Sequence, residues 1–288
     1  MGEVAGNPAD PPVILFPGIG QTRHSWRTTF LALAAGGWRA VTIDQRGHGD
    51  SDWVPDGDYS NDAFARDVDA VARQVDRPPA LVGASLGGIA SLLAAAEDQR
   101  LARALVLVDI GPRVALEGAR RITTFMNEHV ENGFASLDEA ADALQRFNPA
   151  RQRSKDTSGL QKNLRLRDDG RWVWHWDPRL VDRLQPPGGS GAQTRDETEI
   201  ALAAGRVDLP MLLVRGRSSD LISDDAAREF LRLAPHAAYV DIAGAGHMVV
   251  GDHNDAFNGT IVDFLACQRE PSSGGGDRSS DWSFDASE

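Results

Sequence analysis

Residues 80–95 read ALVGASLGGIASLLAA, a run of small and apolar residues with one hydroxyl, Ser85, set between Gly83 and Gly87. The first five residues have the make-up of a short buried strand, and 86–98 that of a buried helix. Ser85 stands at the seam. In the pattern G-x-S-x-G the two glycines leave room for a tight, strained turn that lifts the serine out of the C-terminal edge of a sheet. The helix that follows aims its free backbone N–H groups at the same point. A glycine-rich helix start with an incidental serine would share the five residues. The strand before and the helix after favour a functional hydroxyl.

The same strand–helix alternation extends to both sides. Pro11 and Pro12 lead into VILF (13–16), which stops at PGIG. Residues 25–36 carry helical spacing through Trp26, Phe30 and Leu33 and end at Gly36-Gly37, as a helix C-terminus does. WRAVTID (38–44) reads as the next strand and 60–75 as a helix capped by Ser60. RALVLVDI (103–110) is another strand. The alternation breaks at Gly111 and resumes at PMLLVRG (210–216), a helix over 223–233, AAYVDIAG (237–244) and a helix over 254–267. Repeated alternation predicts an α/β fold with a doubly wound, mostly parallel sheet. On this reading 1–110 and 206–269 form the core, and 111–205 is a helical cap inserted over one sheet edge. The stretch 270–288, EPSSGGGDRSSDWSFDASE, has too few apolar residues to order itself and is expected to be a disordered acidic tail.

Composition narrows the function classes. Hydrophobic residues make up 41% of the 288, which supports a large core. A formal charge of −12, without any cluster of Lys or Arg, speaks against a nucleic-acid partner. No apolar run reaches the roughly 18 residues of a membrane helix, and the first dozen residues lack a signal-peptide pattern. The single cysteine, Cys267, forms no internal disulfide and suits a reducing cytoplasm. No metal or organic cofactor is called for, and the expected partner is a small-molecule substrate.

A serine needs a base to act as a nucleophile at neutral pH. Among seven histidines His247 stands out in IAGAGHMVV, just after the last predicted strand, where a loop carries it over the same edge as Ser85. His24, His48 and His236 lie in other loops and read as solvated side chains. The base needs an orienting carboxylate. Asp220, in the polar loop after LLVRGRSS, and Asp109, which ends LVLVDI, both fit the chain order Ser, Asp, His. Asp220 is preferred for its nearness to His247, and Asp109 reads as a structural carboxylate at the start of the cap. Donors for a developing oxyanion come from the turn PGIGQT, through Ile19 N–H, and from Leu86 N–H beside the serine.

With these residues in place, the chain resembles the α/β-hydrolase superfamily. FPGIGQTRHSW, DQRGHGDSD, GASLGG, RGRSSDLIS and GAGHMVVGD occur in family order over about residues 10–267. The resemblance implies a Ser85–Asp220–His247 triad, an oxyanion hole from Ile19 and Leu86, and a lid built from the insertion. It points to the serine-nucleophile branch of esterases, C–C-bond hydrolases and cofactor-free haloperoxidases. Two features depart from the family. Pro17-Gly18 stands where many relatives have His-Gly. The family also places two antiparallel strands before VILF, whereas only a dozen residues precede it here, with GEVAG as the remnant of the second. A truncated, exposed sheet edge and lower stability are expected.

In the insertion, RWVWHWDP (171–178) spaces Trp172, Trp174 and Trp176 two apart, so on a strand they share a face. With Phe125 and Met126 they either line an apolar acyl pocket or fasten the cap to the core. The default substrate is a small or medium apolar carboxylic ester. Interception of the acyl-enzyme by peroxide, or C–C cleavage, would use the same parts. A catalytically silent binding protein is the non-enzymatic alternative.

Overall fold

A computed structural model describes residues 1–149, 153, 155–181, 190–243, 246 and 255–269. Seven strands build the main sheet: β1 (Gly2–Ala5), β2 (Pro12–Phe16), β3 (Arg39–Ile43), β4 (Ala80–Ala84), β5 (Ala104–Val108), β8 (Met211–Gly216) and β9 (Ala238–Ile242), in the order β1-β3-β2-β4-β5-β8-β9. All neighbours run parallel except β1, which pairs antiparallel with β3. GEVA therefore does form a strand, and it lies at the edge with Val4 59% exposed. Its alternating half-buried pattern contrasts with the fully buried β2, β4, β5 and β8. Strands covered on both faces read as unbroken apolar runs, which is why those four are plain in the sequence.

The two faces separate by residue parity. Val13, Leu15, Val82, Val106 and Val214 pack under α1 (Arg27–Ala35) and α8 (Asp255–Ala266), with Trp26 stacked on Phe257 at 6.1 Å. Ile14, Phe16, Leu81, Leu107 and Leu213 face α2 (Asn61–Ala72), α3 (Leu86–Glu97), α6 (Ser190–Arg206) and α7 (Asp224–Leu233). Ser60 caps α2 by accepting from Ala63 N–H at 3.2 Å, and Ser223 caps α7 through Ala226 N–H.

The inserted region carries α4 (Leu116–Glu128), α5 (Leu137–Phe147) and a hairpin of β6 (Leu164–Leu166) and β7 (Trp172–Trp174). Its last helix, α6, packs against α3 and α7 of the core. The tryptophan run only partly follows the expected strand. Trp172 and Trp174 lie on β7, whereas Trp176 has left it and bridges to His48 in the core.

Candidate active site

Parallel strands put the C-terminal ends of β2, β4, β5 and β8 on one edge, and Ser85 and Asp109 follow two of them there. Ser85 follows β4 with φ 47° and ψ −116°, and its backbone N–H donates to Val108 O at 2.9 Å. Only glycine adopts such angles freely. The glycines on either side are forced by contact. A Cβ on Gly83 would lie 2.4 Å from Gly87 O, and one on Gly87 would lie 2.3 Å from Phe16 O. The strand, the turn and α3 thus touch backbone to backbone. Ser85 stays partly exposed while Ala84 and Leu86 are buried.

Facing the serine is the turn after β2. A Cβ on Gly18 would stand 3.5 Å from Ser85 Cβ, so turn and serine are in contact. Three of the turn's backbone N–H groups are committed. Gly18 donates to Gln21 Oε1 at 3.1 Å, Gly20 to His48 Nε2 at 3.0 Å, and Gln21 to Gly18 O at 3.2 Å. Ile19 N–H makes no hydrogen bond among the described residues, and neither does Leu86 N–H at the first turn of α3. Pro17 O accepts from Gln45 Nε2 at 2.7 Å.

The two candidate carboxylates have different surroundings. Asp109 is 2% exposed and, like Ser85, has a left-handed backbone, with φ 51°. These are the two non-glycine residues with positive φ among the described residues. They are also next to each other, since Ala84 and Val108 are register partners. Ser219 Oγ accepts from Leu221 N–H and Ile222 N–H at 3.2 and 3.1 Å and donates to Asp109 Oδ2 at 2.7 Å. Asp220, one residue further, turns to the cap. Its Oδ2 lies 2.8 Å from Arg121 Nη2 on α4, with its side chain 35% exposed. Arg121 in turn lies over the Phe147 ring of α5 at 5.1 Å. His247 lies outside the described residues, as does the stretch 270–288.

Aromatic residues of the segment between β5 and β8 cluster beside the turn. Phe125 stacks on Phe147 at 4.2 Å and meets Trp174 edge-on at 5.6 Å, and Trp174 stacks with Trp176 at 6.4 Å. Met126 and Trp176 reach the turn after β2, with Met126 Cε and Trp176 Nε1 at 3.4 and 3.8 Å from a Cβ built on Gly20. Trp172 is set apart, hydrogen-bonded through its backbone to Phe134 in both directions. Trp174 and Trp176 also line a pocket of about 90 Å³ together with Trp53 and Arg165, whose guanidinium lies 4.7 Å over the Trp53 ring.

One expectation is corrected here. His48 is no solvated loop residue but fully buried. Its signal was the motif DQRGHGDSD, in which glycines on both sides let the loop fold back under the cap. Ser219 and Gln45 carry no such signal in the sequence. Both act through short bonds to residues far away in the chain, which no local pattern displays.

A serine on a strained strand–turn–helix at the C-terminal edge of a mostly parallel α/β sheet is the arrangement the α/β-hydrolase fold presents. The chain belongs to the α/β hydrolase fold family, whose model matches residues 11–254. It is 34% identical over 250 residues to an esterase of Mycobacterium tuberculosis, covering 84% of this chain and 78% of that one. It is 26% identical over 266 residues to a non-heme chloroperoxidase of Streptomyces lividans, covering 88% of this chain and 91% of that one. The crystal structure of E-2-(acetamidomethylene)succinate hydrolase superposes with a TM-score of 0.79 at 25% identity, covering 92% of this chain and 94% of that one. No described helix is long and apolar enough to cross a membrane.

Proposed function

We propose that this chain hydrolyses small or medium apolar carboxylic esters through an acyl-enzyme on Ser85. Ser85 Oγ attacks the ester carbonyl carbon while His247 takes its proton. The carbonyl oxygen becomes an oxyanion held by Ile19 and Leu86 N–H. Collapse breaks the bond to the alcohol, which leaves with the proton from His247. Water then repeats the route and frees the acid. The observation that carries this reading is the strained Ser85 against the two open N–H groups of Ile19 and Leu86. The aromatic cap, with Phe125, Met126, Trp174 and Trp176 near the turn, favours an apolar acyl group, and Trp172 serves the cap's own packing. The esterase relative supports the ester as substrate. The test is hydrolysis of p-nitrophenyl esters of graded chain length with a fluorophosphonate probe alongside. Wild type labels once and turns over, and Ser85→Ala does neither. A Ser85→Ala variant with full activity would end the proposal.

The triad's carboxylate admits two readings. Asp220 has the position after β8 that the resemblance implies. Asp109 has burial, a strained backbone beside Ser85 and a serine fixing its carboxylate. Residues held in sparsely populated backbone regions are kept where surrounding structure over-determines them, often at working sites. That favours Asp109 as orienter and Asp220 as the core's hold on Arg121 of the cap.

A further inference from the structure

We infer that His48 is a positioning residue that fixes the oxyanion turn and ties its geometry to the seating of the cap. This rests on reading Ile19 N–H as an oxyanion donor. The His48 ring is fully buried. Its Nδ1 lies 2.9 Å from Arg46 O, which can only accept, so Nδ1 carries the hydrogen. Nε2 is then a bare lone pair, and it accepts from Gly20 N–H at 3.0 Å. The tautomer is set by the backbone at one end and used by the backbone at the other.

Gly20 is joined to Ile19 by one peptide unit. Holding Gly20 N–H fixes that plane and limits rotation of the Ile19 backbone, on which the direction of Ile19 N–H depends. The left-handed φ of Gly20, 73°, bends the turn so that its N–H points down to His48. From the other side Met126 and Trp176 of the cap lie against Gly20. The turn is clamped between a core imidazole and the cap.

The backbone of the His48 loop is bound to the same cap segment. His48 bridges Trp176, Gly49 N–H donates to His175 O at 2.6 Å, and Asp177 N–H donates to Gly47 O at 2.7 Å. From below, the loop is braced by buried Asp44, which accepts from Asp50 N–H at 3.0 Å and from Arg23 N–H at 2.6 Å. The His48 ring holds the turn and its main chain holds the cap strand. Displacing either moves the other.

Three variants test this with p-nitrophenyl butyrate. His48→Asn keeps a donor near Arg46 O but has nothing at the Nε2 position. His48→Met fills the volume and loses both bonds, and it stands in should the first not fold. His48→Gln places an amide oxygen near the Nε2 position. A whole oxyanion donor is worth about 10²–10³ in kcat, so a misdirected one should cost about 10–100-fold. The expected result is that loss in kcat for Asn and Met with KM within about threefold, and recovery to within about fivefold of wild type for Gln. A trifluoromethyl ketone, which forms the tetrahedral adduct, should weaken in step with kcat in Asn and Met, while a product carboxylate binds as before. Unchanged kcat in Asn and Met, or equal weakening of ketone and carboxylate, overturns the inference. Full activity in Ser85→Ala instead removes the reading beneath it, so the two failures are told apart.

Discussion

Replacing Ser85 by glycine should make the protein more stable as it makes it inactive, and the size of the effect can be worked from the turn. A non-glycine residue at φ 47° and ψ −116° carries a backbone cost of about 1–3 kcal/mol. Glycine removes that cost but gives the unfolded chain more freedom, worth about 0.5–1 kcal/mol in the other direction. Ser85 makes no side-chain capping bond to α3, so deleting the hydroxyl forfeits no such contribution. The net gain of Ser85→Gly over Ser85→Ala is about 0.5–2 kcal/mol. At roughly 2–4 °C per kcal/mol for a chain of this size, the melting temperature rises by about 1–8 °C. Alanine is the right reference because it deletes the hydroxyl while keeping Cβ and the strain. Differential scanning calorimetry of the two inactive variants, with wild type beside them, makes the measurement. A glycine variant that melts at or below the alanine variant refutes the reasoning, since the turn would then store no strain.

The two carboxylates should separate sharply. Asp109→Asn is expected to lower kcat by about 10³–10⁴-fold, the scale set by orienting carboxylates elsewhere, and Asp220→Asn by less than about tenfold, both read with a p-nitrophenyl ester. The reverse ranking would return the triad's acid to Asp220. Gly87→Ala drives a Cβ to 2.3 Å from Phe16 O and should cost about 3 kcal/mol by denaturant unfolding. Gly259→Ala, inside α8 with nothing within 4 Å of the new Cβ, should stabilise by about 0.5–1 kcal/mol in the same assay. Stability should also rise with pH across the histidine range. Burial holds the His24, His129 and His175 imidazoles below the ordinary 6.5. The unfolded chain therefore binds more protons than the folded one between the lowered values and 6.5, and stability is lost as pH falls through that window. A melting temperature flat from about pH 7 down to about pH 5 would contradict this.

What the sequence makes legible follows the range of the forces involved. β2, β4, β5 and β8 are buried on both faces, so each is an apolar run that announces itself. Ser60 and Ser223 bond to N–H groups three residues on, within the span that local pattern reading covers. Ser85 is legible for the same reason: the glycines that make room for it lie within two positions. Asp109 and Ser219 are 110 residues apart, and Arg121 and Asp220 nearly as far. Nothing near Asp220 in the chain says that a guanidinium from α4 will meet its carboxylate.

His48 shows why a motif can be seen and its work missed. As a loop histidine among charged and glycine residues, it has the composition of a solvated turn. Its burial comes from Trp176 and the rest of the cap segment, which closes over it from 128 residues downstream. Once covered, an imidazole cannot leave both nitrogens to water, and each must find a protein partner. Arg46 O can satisfy only a donor and Gly20 N–H only an acceptor, so the neutral Nδ1–H tautomer is the one form that satisfies both. A lysine or arginine at 48 would have donors only and would meet Gly20 N–H with another donor. An apolar residue would leave that N–H unpaired. Among common side chains an imidazole combines a donor and an acceptor across one rigid ring, and that chemistry accounts for a histidine at this crossing of turn, loop and cap.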